Sequence, residues 1–193
     1  MPGTHRLFVA ISPPDPVRRR VARVAEDLRA AAAGKDVRWV ADENVHVTLQ
    51  FLGAVPEARV ADVEGAVRAA AAAGRPISLE VAGAGGFPSA RRPRVVWLGL
   101  AGEIAALGVV VADLGARLAP LGFTPEERAF APHLTLGRSR DPRGAPGLAP
   151  ALTTAAAAEP IPWRVADLVL FESHLSPKGP RYEARLRAPL GSS

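Results

Sequence analysis

Val45-His46-Val47-Thr48-Leu49-Gln50-Phe51 alternates apolar and polar side chains along its whole length, the pattern of a half-buried strand. Val45, Val47, Leu49 and Phe51 are expected to face a core, with His46, Thr48 and Gln50 on the other side. The apolar face accounts for the strand. It does not account for an imidazole and a hydroxyl side by side on the opposite face. The same pair returns 87 residues later (133 − 46) in His133-Leu134-Thr135-Leu136. Thr stands at only six positions and His at four, so chance would place two His-x-Thr pairs roughly 0.5% of the time. That weakens the plain reading of two ordinary strand histidines beside threonines that merely favour β structure.

Working outward, Arg6–Ser12 reads as a strand, and Asp15 caps a helix with Pro16 at its first position. Val17, Val21, Val24 and Leu28 form that helix's apolar stripe, expected to end near Gly34. Val37–Val40 is a short strand. Pro56 opens a second helix with Val60, Val63 and Val67 inward and Gly74 at its end. Ile77–Val81 reads as a strand, Gly83–Pro88 as a glycine-rich turn, and Val95–Leu100 as the next strand. A third helix carries Ile104, Leu107, Val111, Leu114 and Leu118. Pro132 opens the second motif strand, Arg140–Glu159 reads as a loop with a weak helix at Leu148–Ala156, and strands at Val165–Glu172 and Arg181–Leu186 close the chain. Each half holds helices, strands and one His-x-Thr strand. The expected architecture is α+β: a single domain of two similar lobes over residues 1–193, antiparallel sheets lining a central cleft and helices outside.

Composition sets the outer limits. A chain of 193 residues with 48% apolar and 22% charged residues is long enough to bury a real core and ordinary for a globular protein. With no cysteine, thiolate metal sites and disulfides are ruled out, which agrees with a cytoplasmic location. No apolar run is expected to span a membrane. The net charge of +5 comes almost wholly from arginine, since Lys occurs only at 35 and 178. Arginine's planar fork suits phosphate.

The segments around the motifs resemble a known family. Arg6-Leu7-Phe8-Val9-Ala10-Ile11, Asn44 through Gly53, Gly86-Phe87-Pro88, Pro132 through Arg138, Leu170-Phe171-Glu172-Ser173 and Gly179-Pro180-Arg181-Tyr182 are similar, in order, to landmarks of the LigT-like RNA 2′,3′-cyclic phosphodiesterases of the two-histidine phosphoesterase superfamily. The resemblance implies a bilobal, pseudo-twofold fold. It also implies metal-independent opening of a ribose 2′,3′-cyclic phosphate to a 2′-phosphomonoester, and the reverse joining of RNA ends through a 2′–5′ linkage. It places the first motif on His46 and Thr48, the second on His133 and Thr135, and a further phosphate-binding arginine on Arg138. It assigns His46 as proton donor and His133 as proton acceptor. Partners are then RNA with 2′,3′-cyclic phosphate ends or cyclic nucleotides, with no membrane, cofactor or obligate protein partner.

The chemistry fits those residue types. Imidazole can accept or donate a proton near neutrality, and two hydroxyls can hold the oxygens of one phosphate. Arg138 is the awkward member. Five residues past His133, it points away from the histidine in a straight strand, and a bulge near Gly137 would be needed to turn it back. His5 and His174 read as solvated bystanders, while Tyr182, Trp39 and Phe8 read first as core residues. Arg91, Arg92 and Arg94 read as a solvated loop. Two other functions compete. A two-histidine metal hydrolase would need further ligands, and neither motif supplies one on its strand face. A non-enzymatic basic RNA-binding protein would leave the His-x-Thr pairs without a task.

Overall fold

The computed structural model describes residues 3–31, 37–125, 129–177 and 179–191. Nine strands and four helices follow one another as β1 (Thr4–Ile11), α1 (Asp15–Ala31), β2 (Val37–Trp39), β3 (Val47–Pro56), α2 (Glu57–Ala73), β4 (Ile77–Phe87), β5 (Val95–Gly102), α3 (Ile104–Leu118), β6 (His133–Ser139), α4 (Ala149–Ala156), β7 (Ile161–Val165), β8 (Asp167–His174) and β9 (Arg181–Pro189). They form two antiparallel sheets, ordered β3-β1-β8-β9 and β2-β6-β5-β4-β7. This is the expected α+β fold. The expected end of the first helix at Gly34 lies outside the described residues.

The two sheets are not the two halves of the chain. β2, from the first half, pairs with β6, while β8 and β9 return from the second half to pair with β1. One hydrophobic cluster runs through both lobes, from Leu7, Val9 and Ile11 through Val63, Leu107 and Leu114 to Leu134 and Leu168. The helices close it from outside with their apolar stripes: Val17, Val21 and Leu28 on α1, Val60, Val63 and Val67 on α2, and Leu107, Leu114 and Leu118 on α3. α3 differs from expectation in one respect. By length and composition residues 104–121 could cross a membrane; here its stripe packs on α2, and Asp113 and Arg117 pair on its surface.

Three further readings change. Gly83–Phe87 is strand rather than turn, and β4 runs unbroken from Ile77 to Phe87 with an irregularity between Val81 and Ala84. The glycines are there for a close approach: a Cβ on Gly85 would sit 2.5 Å from the ring of Trp97, its partner on β5. β7 was hidden by Pro162, which is tolerated because β7 is an edge strand paired only with β4. Third, His5 is no bystander. At the open end of the first sheet, its ring bonds the carboxylates of Glu57 and Glu172, and Arg185 also reaches Glu172. Its pKa is raised, chiefly by the Glu172 hydrogen bond and then by Glu57.

Gly85→Ala should cost about 1–3 kcal/mol, because the Trp97 indole must shift to admit the Cβ; a lower Tm with a shifted tryptophan emission would register it. The His5 clasp should be complete below pH 6.5, the unfolded value, and weaken as pH rises through its raised folded value. Replacing His5 by Gln should therefore flatten the stability–pH curve on that limb, as followed by urea midpoints.

Candidate active site

The site is built where β3 and β6 approach each other across the cleft, their Cα atoms coming within 8 Å. On the first sheet, Ala10 pairs with Thr48 and Phe8 with Phe51, and Phe8 also pairs with Phe171. Residues directly opposite one another share a face, so Thr48, Phe51, Phe8 and Phe171 line one side together. Ser173 continues that face and pairs with Tyr182. This corrects the alternation expected of β3. Leu49 and Leu52 are extra residues in the β1–β3 register, and each bulge shifts the facing of the residues beyond it. Gln50 is therefore buried, donating from Nε2 to the Phe123 carbonyl. Phe51 instead opens to the cleft, 57% exposed.

A bulge settles Arg138 as well. On β5, Val95, Trp97 and Gly99 point the same way, and their partners on β6 are Arg138, Thr135 and His133. Leu136 is the extra residue in that register, so the strand turns over between Thr135 and Arg138. The arginine thereby rejoins the histidine's face. Burial raises the pKa of Tyr182 on the other sheet, and the charges of Arg138 from across the cleft and of Arg6 from Tyr182's own sheet work against that rise. All five residues singled out by the motifs, His46, Thr48, His133, Thr135 and Arg138, thus lie on surfaces facing the same cleft.

The two imidazoles are held alike. His46 Nδ1–H donates to the Asn44 carbonyl at 2.7 Å, and His133 Nδ1–H donates to the Ala131 carbonyl at 2.7 Å. A carbonyl can only accept, so each Nδ1 must carry hydrogen and each Nε2 is the nitrogen left for chemistry. The Thr48 hydroxyl donates to His46 Nε2 at 3.1 Å. Burial lowers the pKa of His46, and the nearby His133 charge lowers it further against the Asn44 bond.

Aromatic side chains flank both rings. Phe8 lies 4.9 Å from the His46 ring centroid and Tyr182 meets it edge-on at 5.2 Å. Phe87 meets the His133 ring edge-on at 5.2 Å, with Trp97 at 6.3 Å. Beside His46, Arg6, Phe8, Phe51, Ser173 and Tyr182 border an open hollow of about 230 Å³. Phe8 is buried, as the core reading expected, but it packs against the His46 ring; Tyr182, also read as core, is only half-buried, and sequence reasoning gave Phe51, Phe87 and Trp97 no part in the site. Their lone signal, an aromatic two residues from a motif or opposite it in register, needs the pairing to be known. Trp39 does sit with the core, under the Arg29 guanidinium at 5.8 Å. Among the described residues, no three His, Cys, Asp or Glu side chains converge in a manner able to hold a metal.

Replacing His133 by Gln should raise the pKa of His46 by removing the neighbouring charge, yet leave it below 6.5 because burial remains. An NMR titration of the His46 ring protons would show it.

Comparison with known proteins agrees with this geometry. The model of the LigT-like phosphoesterases matches twice, over residues 11–97 and 98–182, one copy around each motif. The chain is 35% identical over 177 residues to the RNA 2′,3′-cyclic phosphodiesterase of Methanothermobacter thermautotrophicus, covering 92% of this chain and 94% of that one. It is 33% identical to the protein of the same name from Aeropyrum pernix, over 90% and 97% of the two chains. Among solved structures, TT0787 of Thermus thermophilus superposes with a TM-score of 0.77 at 26% identity, over 97% and 98% of the chains. E. coli LigT complexed with 3′-AMP gives 0.74 at 26% identity, over the same shares. With the family's pattern matched around both motif strands, the chain belongs to the LigT-like phosphoesterases.

Proposed function

We propose that the protein hydrolyses the 2′,3′-cyclic phosphate of an RNA end or nucleotide to a 2′-phosphomonoester, with residues 1–193 working as one two-lobed domain. The observation that carries this is the matched pair of imidazoles, each locked through Nδ1–H to a backbone carbonyl and each offering Nε2 to the same cleft. The relatives' activity on RNA 2′,3′-cyclic phosphates supplies the substrate class.

His133 Nε2 takes a proton from water as the water oxygen attacks phosphorus, and the bond from phosphorus to the ribose 3′ oxygen breaks. His46 gives its Nε2 proton to that departing oxygen. Burial lowers the pKa of His46, which makes its protonated form the stronger acid; the anionic phosphate recharges the ring on binding. Once Nε2 is protonated, it can no longer accept from Thr48. The Thr48 hydroxyl is then free to turn to a non-bridging phosphate oxygen, matched by Thr135 from the other sheet. The Arg138 guanidinium offsets the charge that builds on those oxygens. The aromatic hollow beside His46 takes the nucleoside, whose base has a flat face to offer Phe51 or Tyr182. With a ribose 5′ hydroxyl in place of water, the same groups join two RNA ends through a 2′–5′ linkage.

His46→Ala and His133→Ala should each lower turnover of a 2′,3′-cyclic nucleotide by about 10² or more. The wild-type pH profile should be bell-shaped, and activity should survive a chelator. Near wild-type rates in both single variants would overturn the reading. Identifying which ribose oxygen keeps the phosphate would test the direction of opening.

A further inference from the structure

We infer that Arg38, set beside Arg138, binds a second phosphate of the substrate strand while Arg138 serves the cyclic one, so that the site selects an oligonucleotide end over a lone cyclic nucleoside. The inference rests on the function proposed above and extends it. Arg38 and Arg138 lie directly opposite one another in the β2–β6 register, and both are exposed. Like charges facing each other across a ladder destabilise it. Among the described residues neither arginine makes an ion pair or a side-chain hydrogen bond. The acids that answer about half of the protein's other arginines, such as Asp113 for Arg117 and Glu103 for Arg75, are missing at this spot.

The pair also faces the right way. Arg138 shares the face of Thr135 and His133, and Arg38, as its direct partner, shares it too. The Arg38 guanidinium extends to the β8–β9 turn of the other sheet, where Nη2 lies 2.9 Å from the point a Cβ on Gly179 would occupy. Gly179 has φ +127°, so the turn keeps that place clear of any side chain. The two forks thus span the rim of the cleft. They lie about two residues along the strand from Thr135, roughly 6.6 Å at ordinary strand rise, a distance of the order separating successive phosphates on one strand. The single guanidinium fork of Arg38 is suited to bidentate contact with such a phosphate.

The test compares two substrates: a 2′,3′-cyclic mononucleoside with a free 5′ hydroxyl, and the dinucleotide carrying one additional internal phosphate. Wild-type kcat/KM should favour the dinucleotide. In Arg38→Gln that preference should fall about tenfold, mainly through KM. The salt dependence of log kcat/KM on the dinucleotide should flatten by about 0.7, the slope of one single-strand phosphate contact. Arg38→Lys should restore part of the preference, as charge is kept and the fork lost. An unaltered Tm in Arg38→Gln guards against misfolding. Equal losses on both substrates, or an unchanged preference, would overturn the inference while leaving cyclic phosphate hydrolysis standing. Failure of the wild type on both substrates would instead overturn the proposed function beneath it.

Discussion

Side chains in a strand alternate faces with period two, and this site depends on the places where that period is broken. An extra residue at Leu136 returns Arg138 to the face of His133 and Thr135. Extra residues at Leu49 and Leu52 bring Phe51 into the cleft and send Gln50 inward. Without the Leu136 bulge, the arginine would point to the helix-covered side, where an unpaired guanidinium has no place. Bulges also sharpen local twist, which suits sheets whose motif strands must approach across a cleft.

Around that geometry the environment of the two histidines differs in degree. His46 is wrapped by Phe8, Phe171 and Tyr182, and burial holds its pKa down. His133 stands at the edge of Phe87 and Trp97 and is more open to solvent. The shared device is the carbonyl two residues upstream that accepts from Nδ1. A backbone acceptor fixes the tautomer without adding charge, so the ring stays free to gain or lose a proton at Nε2. A carboxylate in that place would bias the ring toward its charged form, as Glu172 and Glu57 do for His5.

The interchange of strands between the sheets explains how such a cleft stays in register. β2 belongs to the sheet built mostly from the second half of the chain, and β8 and β9 belong to the one begun by β1. Neither half can close its own sheet alone. Asn44 adds a tie beside the first motif, donating from its side chain to the Pro180 carbonyl of the β8–β9 turn. The same turn receives the Arg38 guanidinium, so the rim of the cleft is assembled from segments far apart in sequence.

From the sequence alone came the elements with long unbroken periods, namely α1, α2, α3 and the start of each motif strand. Its repetition of His-x-Thr identified four of the five candidate site residues, because a local period of two is a property of neighbouring residues. The hydrophobic pattern could not reveal β7, where Pro162 is harmless only on an edge strand, or the strand character of Gly83–Phe87, where Gly85 makes room for the Trp97 ring. Only tertiary pairing decided that Arg138 faces the cleft, that Phe51 is exposed, that Phe8 and Tyr182 flank the His46 ring, and that Arg38 meets Arg138. Each of those facts depends on which residue of a distant strand lies opposite. Register and bulges are settled by the packing of whole sheets, at separations that no stretch of neighbouring residues encodes.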